Sequence, residues 1–200
     1  MTDRVFTKTT RPNRHRPQDA LRTLIHQARN LAGGLDRETF NRRPAENAWS
    51  VAECLEHLNV SARLYLPVLT DAIDGAKRKP GRRRQPGLTL LGRLMVWGME
   101  PPPRRLSKTR TFERLEPARD LDPEYVLDEF EALHEELIVR MNEAGDLDLK
   151  RVKVRSVLDR RLRLSLGDWF AFLAAHGRRH LWQAERALER VQAGTSEGRG

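Results

Sequence analysis

Residues 176–183 have the sequence HGRRHLWQ, which places His176 and His180 four positions apart in a segment with a helical pattern. On a helix, side chains at this spacing lie one turn apart on the same face, so both imidazoles can reach one cation. Of the other histidines, only His57 lies in a strongly patterned helix with a clear start, within WSVAECLEHL at 49–58. We therefore hypothesise a metal site formed by these three histidines between the second and the last long helix.

The blocks WSVAECLEHL and HGRRHLWQ resemble the DinB-like superfamily of four-helix-bundle metalloproteins, which includes YfiT-like hydrolases and thiol-dependent transferases. The resemblance follows the order of elements from about Pro17 to Val191. It implies an all-α fold over residues 17–193, a four-helix bundle of DinB/YfiT-like topology with a long crossover between helices two and three. It also implies a divalent metal ion on the three histidines, and homodimers, which are common among relatives. It does not imply one reaction, because members of the superfamily differ in chemistry.

Three neutral imidazoles with an open coordination position form a site that can do chemistry, whereas structural zinc sites are closed by four protein ligands. Imidazole binds zinc, nickel, iron and copper alike. We therefore expect one divalent metal ion, and the ligand type does not distinguish among these metals. The second nitrogen of each ring needs a hydrogen-bond partner. Glu53 and Gln183 are the candidates, with a helix cap or a surface position as the ordinary alternative. Glu53 is also the residue we nominate as a general base.

Three further residues of ligand type have ordinary interpretations. Cys54, three residues before His57, could supply a fourth ligand, but a free cysteine is more often an inert buried residue, and we favour that interpretation. His26 lies near the apolar stripe of the first helix and is expected to be a partly buried structural histidine. His134 has glutamates three or four residues away, as in di-metal bundles. Because no matching Glu-x-x-His occurs on another helix, we expect it on a solvated charged face.

Start and stop signals divide the chain into four long helices and a crossover. Prolines at first helical positions open two helices, and capping boxes at Ser50 and Ser165, each with an acidic residue three positions later, open the other two. The long helices are expected at about 17–31, 51–77, 123–144 and 166–191, with a short helix at 88–97 and an extended piece within 146–166. Residues 1–16 are expected to be a flexible arm and residues 194–200 a disordered tail.

The crossover between the second and third long helices carries apolar side chains with two interpretations. Leu94, Trp97 and Met99 line or cover a pocket, since this connection lies near the mouth of the site in related folds, or they dock the crossover on the bundle, which we favour. Pro101–Pro103 predicts extended backbone after them. Gly177, which is unfavourable inside a helix, predicts that another group approaches its backbone closely.

The charge of the chain is concentrated in one segment. The net charge is +9, and residues 77–119 contain thirteen Lys or Arg and three Glu, a net of +10, which leaves 24 basic and 25 acidic residues elsewhere. No helix-turn-helix, zinc-finger or RNP pattern accompanies this segment, and Arg82–Arg84 has no aromatic neighbours for base stacking. We therefore expect a solvated basic loop and disfavour nucleic acid as a partner.

Length and composition place the chain among ordinary globular proteins. Two hundred residues fit one domain with a well-buried core. No apolar run approaches the ~20 residues that cross a bilayer, and no apolar h-region follows the basic residues of the N-terminus. The single cysteine fits a reducing compartment. These features predict a cytoplasmic protein without a membrane-spanning segment.

The functional prediction is a metal-dependent enzyme that acts on a small-molecule substrate. It is either a hydrolase that uses water activated by the ion or a transferase that activates a low-molecular-weight thiol. The alternative from another class is a non-enzymatic metal-binding or stress-response protein whose basic crossover contacts nucleic acid or a protein partner.

Overall fold

The computed structural model describes residues 16–77, 87–102 and 113–197, which are predominantly helical. In chain order the elements are α1 Pro17–Ala32, α2 Arg37–Asn41, α3 Val51–Lys77, α4 Leu90–Met99, a 3-10 turn Glu113–Leu115, α5 Pro123–Glu143, β1 Lys153–Arg155, β2 Arg163–Ser165 and α6 Leu166–Glu197. The four long helices α1, α3, α5 and α6 confirm the predicted all-α class.

The long helices form a bundle in which each packs against two others. Helix α3 contacts α5 and α6, and α1 contacts the same two helices, so α1 and α3 lie diagonally opposite one another. The core between them contains leucines and aromatic rings with almost no exposed surface, among them Leu21, Leu55, Phe130 and Trp169. Because burial of one such side chain contributes about 1.5–3 kcal/mol, this core is the main source of the bundle's stability.

Both predicted capping boxes are present and set where α3 and α6 begin. The backbone N–H of Ser50 donates to the Glu53 carboxylate at 3.0 Å, and Glu53 N–H donates to Ser50 Oγ at 3.2 Å. Ser165 and Asp168 make the same reciprocal pair at 3.2 and 3.1 Å. These bonds satisfy amide groups that the first turn of a helix leaves without partners.

The crossover is attached to α6 at both ends of its short helix α4. At the first end, Asp168 accepts hydrogen bonds from the backbone N–H and the hydroxyl of Thr89, both at 2.8 Å. Gly92 allows this approach, since a Cβ at that position would lie 2.0 Å from Asp168 Oδ1. At the other end, Arg178 Nε donates to Glu100 Oε2 at 3.0 Å. Helix α4 therefore packs along α6 on one side of the bundle.

Helix α4 begins and ends two residues later than predicted, and two of its apolar side chains do not line the main pocket. Leu94 is 62% exposed and Trp97 is 50% exposed. The face toward α6 carries Gly92, Met95 and Met99, which follow the helical spacing, and Met99 does line the pocket. Apolar character alone did not reveal which face of a short helix is buried.

Two small elements complete the described structure. The extended piece predicted after α5 is β1, which pairs antiparallel with β2 so that buried Val154 lies opposite buried Leu164. Helix α2 was not predicted. Asp36 caps its N-terminus, since the Asp36 carboxylate accepts from Thr39 N–H at 2.8 Å, and the fully buried Phe40 anchors it.

The described structure extends nearly to the C-terminus but begins only at residue 16. Helix α6 continues to Glu197, six residues beyond the predicted end at Val191. Gly194 does not end the helix, because one glycine costs only about 1 kcal/mol relative to alanine. Residues 1–15, 198–200 and the basic run at Arg82–Arg84 lie outside the described residues. Within the described ranges, no helix has the length and apolar character that crossing a membrane requires.

Candidate metal centre

The three predicted histidines come together between α3 and α6. The Nε2 atoms of His57 and His176 lie 3.1 Å apart, and the ring of His180 lies 4.3 Å from that of His57 and 4.6 Å from that of His176, centroid to centroid. One nitrogen from each of the three rings lies within 4.8 Å of the others. The structure therefore confirms that these residues form one cluster.

The orientation of His57 is set by a residue that sequence reasoning missed. Its Nδ1 lies 2.8 Å from the backbone carbonyl oxygen of Leu115. Since a carbonyl only accepts, Nδ1 carries the hydrogen and Nε2 presents its lone pair toward His176. This is the arrangement in which metal-binding imidazoles are held, with the second nitrogen donating to a carbonyl. A backbone carbonyl has no sequence signature, so no pattern could have identified Leu115.

Burial keeps the cluster neutral. His57 and His176 are 3% and 8% exposed, and His180 is partly covered. Burial lowers the pKa of all three rings, and for His176 and His180 the neighbouring histidines and Arg179 lower the pKa further. The hydrogen bond to Leu115 opposes the lowering in His57. Neutral imidazole is the form that binds metal, so no proton has to be displaced near pH 7.

The His57–His176 pair has a separation that fits one divalent cation, and His180 lies close to both rings. Two nitrogens that each lie about 2.0–2.1 Å from a zinc ion can be up to about 4.2 Å apart, and the 3.1 Å between His57 and His176 is within this limit. Nδ1 of His180 is buried without a hydrogen-bond partner in the described residues. Cys54 is not in the cluster, and burial raises the pKa of its thiol, in agreement with the inert role that we favoured.

Glu53 occupies a structural position. Its carboxylate accepts from Ser50 N–H and from Arg43 Nε at 2.8 Å, and it is almost fully buried. Burial alone would raise the pKa of Glu53, but the hydrogen bonds from Arg43 and Ser50 outweigh that effect, and the pKa is lowered. Glu53 therefore has the capping role that we gave as its alternative. Leu115, not Glu53, is the partner of the second nitrogen of His57.

Gln183 lies at the same end of the site as His180. It lines the pocket, and its side chain opposes the lowering of the pKa of His180. No hydrogen bond of normal length joins it to Nδ1 of that ring, so its role as the ring's partner stays a prediction.

The predictions for the two remaining helical histidines are both wrong. His26 is exposed rather than partly buried. His134 is buried rather than solvated, since it stacks on Phe130 at 3.8 Å and its Nδ1 lies 2.7 Å from the Phe130 carbonyl oxygen. Burial lowers the pKa of His134 to about 4. Helix α5 buries one face against α1 and another against α3, so its buried surface is wider than one stripe.

The cluster lies in the wall of a cavity of about 1040 Å³. The cavity is bounded by α3, α6, the crossover helix α4 and the connection between β1 and β2. Its lining is largely apolar and aromatic, including Trp49, Met95, Leu162 and Phe172. Arg179, between the two histidines of the HGRRH block, is half-buried and also lines it. Burial lowers the pKa of Arg179, but a guanidinium remains charged at physiological pH. The cavity thus combines a neutral ligand cluster, the Arg179 guanidinium, the carboxyl group of Asp159 and largely apolar walls.

Comparison with known proteins concerns the family of the chain. The sequence model of the DinB superfamily matches residues 20–184, a range that contains the whole cluster. The uncharacterized protein YuaE of Bacillus subtilis (strain 168) is 24% identical over 175 residues, which cover 85% of this chain and 98% of YuaE. No solved structure matches the chain significantly. The match of the family model over most of the chain shows that this protein belongs to the DinB superfamily.

Proposed function

We propose that this protein is a metal-dependent enzyme that transfers a low-molecular-weight thiol to a small organic substrate. The observation that carries the proposal is the cluster of His57, His176 and His180 in the wall of a cavity of about 1040 Å³. A closed structural site has four protein ligands and no adjoining cavity, whereas three ligands beside a cavity leave room for a reactant.

One zinc, nickel or iron ion on the three histidines would supply a Lewis acid that lowers the pKa of a thiol or water in the cavity. The protein's own contribution is orientation. Leu115 fixes the His57 ring, and the regular geometry of α6 fixes the separation of His176 and His180. The apolar lining excludes bulk water from the ligand end of the cavity, which strengthens electrostatic interactions there.

Thiol transfer is favoured over hydrolysis by the position of Glu53. A hydrolase benefits from a general base that accepts a proton from water. The nominated base is bonded to Ser50 and Arg43, and it does not line the cavity. A thiol is acidic enough to be deprotonated near a cation without a separate base. This argument makes the transferase our first candidate.

The shape and charge of the cavity also suit two organic reactants. Its volume lies at the upper end of the range for small-molecule sites, and its aromatic and methionine side chains suit an apolar electrophile. Arg179 provides a positive charge beside the ligand cluster. Low-molecular-weight thiols built on cysteine carry a carboxylate, which a guanidinium binds well.

Metal content tests the site. We expect about one equivalent of a divalent metal in the wild-type protein by mass spectrometry, and its loss in His57→Ala and His180→Ala. His26→Ala, which changes an exposed histidine on α1, is the matched control and should retain the metal. Circular dichroism shows whether each variant is folded. Absence of metal in folded wild-type protein, even after reconstitution, would refute the proposal.

Cobalt substitution tests the reaction class. Cysteine and other low-molecular-weight thiols should perturb the visible spectrum of the cobalt(II) protein, and the same thiols should then be consumed with an electrophile such as monobromobimane faster than in protein-free solution. A cobalt spectrum that no thiol changes would eliminate thiol transfer. In that case hydrolysis would be the reaction class to screen.

A further inference from the structure

A tyrosine lies in the cavity away from the ligand cluster. Tyr65 follows His57 by eight residues on α3, about 12 Å along the helix axis, and it lines the same cavity. Its ring packs 4.7 Å from that of Trp169, centroid to centroid. Ser61, between the two on the helix, donates its hydroxyl to the His57 carbonyl oxygen at 2.8 Å, so its hydrogen is used within α3.

The hydrogen bonds around Ser156 determine the direction of its contact with Tyr65. Ser156 Oγ accepts from the backbone N–H groups of Leu158 and Asp159, at 3.1 and 3.3 Å, and these occupy both of its lone pairs. The third contact of this oxygen is with the Tyr65 hydroxyl, at 3.2 Å. Because these two N–H groups already use the lone pairs of Ser156 Oγ, we assign the donated hydrogen in that contact to Ser156 and the accepting oxygen to Tyr65.

The hydrogen of the Tyr65 hydroxyl is left for another partner. A phenol has one hydrogen to donate, and with this assignment Ser156 Oγ, the hydrogen-bond partner of the Tyr65 hydroxyl among the described residues, does not accept it. Tyr65 is only 4% exposed, and burial raises the pKa of its hydroxyl, so it remains protonated near neutral pH. A buried donor without a partner is unfavourable unless a ligand or a water molecule accepts from it.

We propose that Tyr65 donates a hydrogen bond to the substrate at the end of the cavity remote from the three histidines. The substrate class that fits is an elongated small molecule with a reacting group at the ligand cluster, an apolar middle section, and a neutral carbonyl oxygen near Tyr65, since Asp159 also lines the cavity beside Ser156. Met95 and Phe172 line the cavity with apolar surface and match the middle section. The inference rests on the proposed function, because the cluster must hold a metal ion for the reacting group to bind there.

Hydroxamate probes test this orientation in the zinc-loaded protein by isothermal titration calorimetry. The hydroxamate head binds zinc, and two series of tails of equal length end either in an alkyl group or in a primary amide. We expect the best-fitting amide-ended probe to bind roughly two- to tenfold more tightly than its alkyl partner. Tyr65→Phe should abolish this difference without changing the affinity for the alkyl probe or the zinc stoichiometry. Tyr125→Phe changes the chain's other tyrosine, which is exposed, and should retain the affinity difference between the two probes.

The outcomes separate the two proposals. If both probes bind but the amide gives no advantage at any length, or the advantage survives in Tyr65→Phe, the assignment of Tyr65 is overturned while the metal site stands. If acetohydroxamate, which has only the zinc-binding head, fails to bind the zinc-treated protein, the metal site is overturned and the inference is overturned with it.

Discussion

His57 and Leu115 are joined by a 2.8 Å hydrogen bond between a ring nitrogen on α3 and a backbone carbonyl in the crossover, 58 residues later in the chain. The bond fixes the tautomer of a candidate metal ligand, so the position of the crossover and the chemistry of the cluster are coupled. Leu115 itself is anchored by its side chain, which is 6% exposed. A change that releases this side chain should therefore weaken metal binding.

Leu115→Ala is expected to weaken zinc binding by about tenfold while the stoichiometry stays at one, because partners that orient metal-bound histidines typically contribute this much or more. Competition with a chromophoric chelator measures the affinity. Leu94→Ala, an exposed leucine of the same crossover, is the control and should bind zinc as the wild type does. Equal affinities in both variants would show that the Leu115 carbonyl does not orient His57.

His134 should make folding stability depend on pH. Its pKa is about 4 in the folded protein, below the 6.5 of an unburied histidine, so the unfolded chain binds the extra proton. This contribution to stability is complete above about pH 6.5 and is lost as the pH falls toward 4, by about 3 kcal/mol in total. Urea unfolding of the metal-free wild type and His134→Leu between pH 7 and 4 measures it. A wild-type loss over this range no larger than that of the variant would contradict the assignment.

Two glycines of α4 should respond in opposite ways to substitution by alanine. Gly92→Ala places a methyl group on the Asp168 carboxylate, which is held by Thr89 and Ser165, so we expect a loss of about 1–3 kcal/mol. Gly98→Ala meets no atom within 4 Å and should stabilise the protein by about 0.5–1 kcal/mol. Thermal and urea unfolding compare the two. A neutral Gly92→Ala would show that α4 is not attached to α6 through Asp168.

Glu53→Gln should act on stability and leave the metal site intact. The substitution weakens the buried contacts with Ser50 and Arg43, and we expect a loss of about 1–3 kcal/mol with unchanged zinc stoichiometry. Glu38→Gln changes a carboxylate that is 78% exposed and should lie within about 0.5 kcal/mol of the wild type. Loss of activity at unchanged stability would instead restore Glu53 as a general base.

The predicted site agreed with the structure where local spacing carried the information. The i, i+4 pair His176 and His180 had to share a helix face, and the capping box at Ser50 set the frame in which His57 points inward. Gly177 was also interpreted correctly, since a Cβ there would lie 2.5 Å from Leu24 Cδ1. Each of these depends on geometry within one or two turns of a helix.

The errors arose where burial depends on a neighbouring element. The periodicity of α5 did not show that His134 would be covered, and that of α4 did not show that Leu94 and Trp97 would face outward. A short helix with apolar residues on several sides has no preferred face until it meets its neighbour. His26 follows the buried Ile25 on α1 and lies just outside the buried stripe of that helix.

The sequence alone predicted the all-α class, the starts of the four long helices and the three histidines of the cluster. This was possible because capping and helical periodicity are properties of neighbouring residues. The tertiary structure decided the rest: the carbonyl that orients His57, the hydrogen bond from Arg43 to the Glu53 carboxylate, and the placement of Tyr65 and Arg179 in one cavity. These contacts join residues that are distant along the chain or depend on hydrogen-bond direction, and they exist only after the helices have packed.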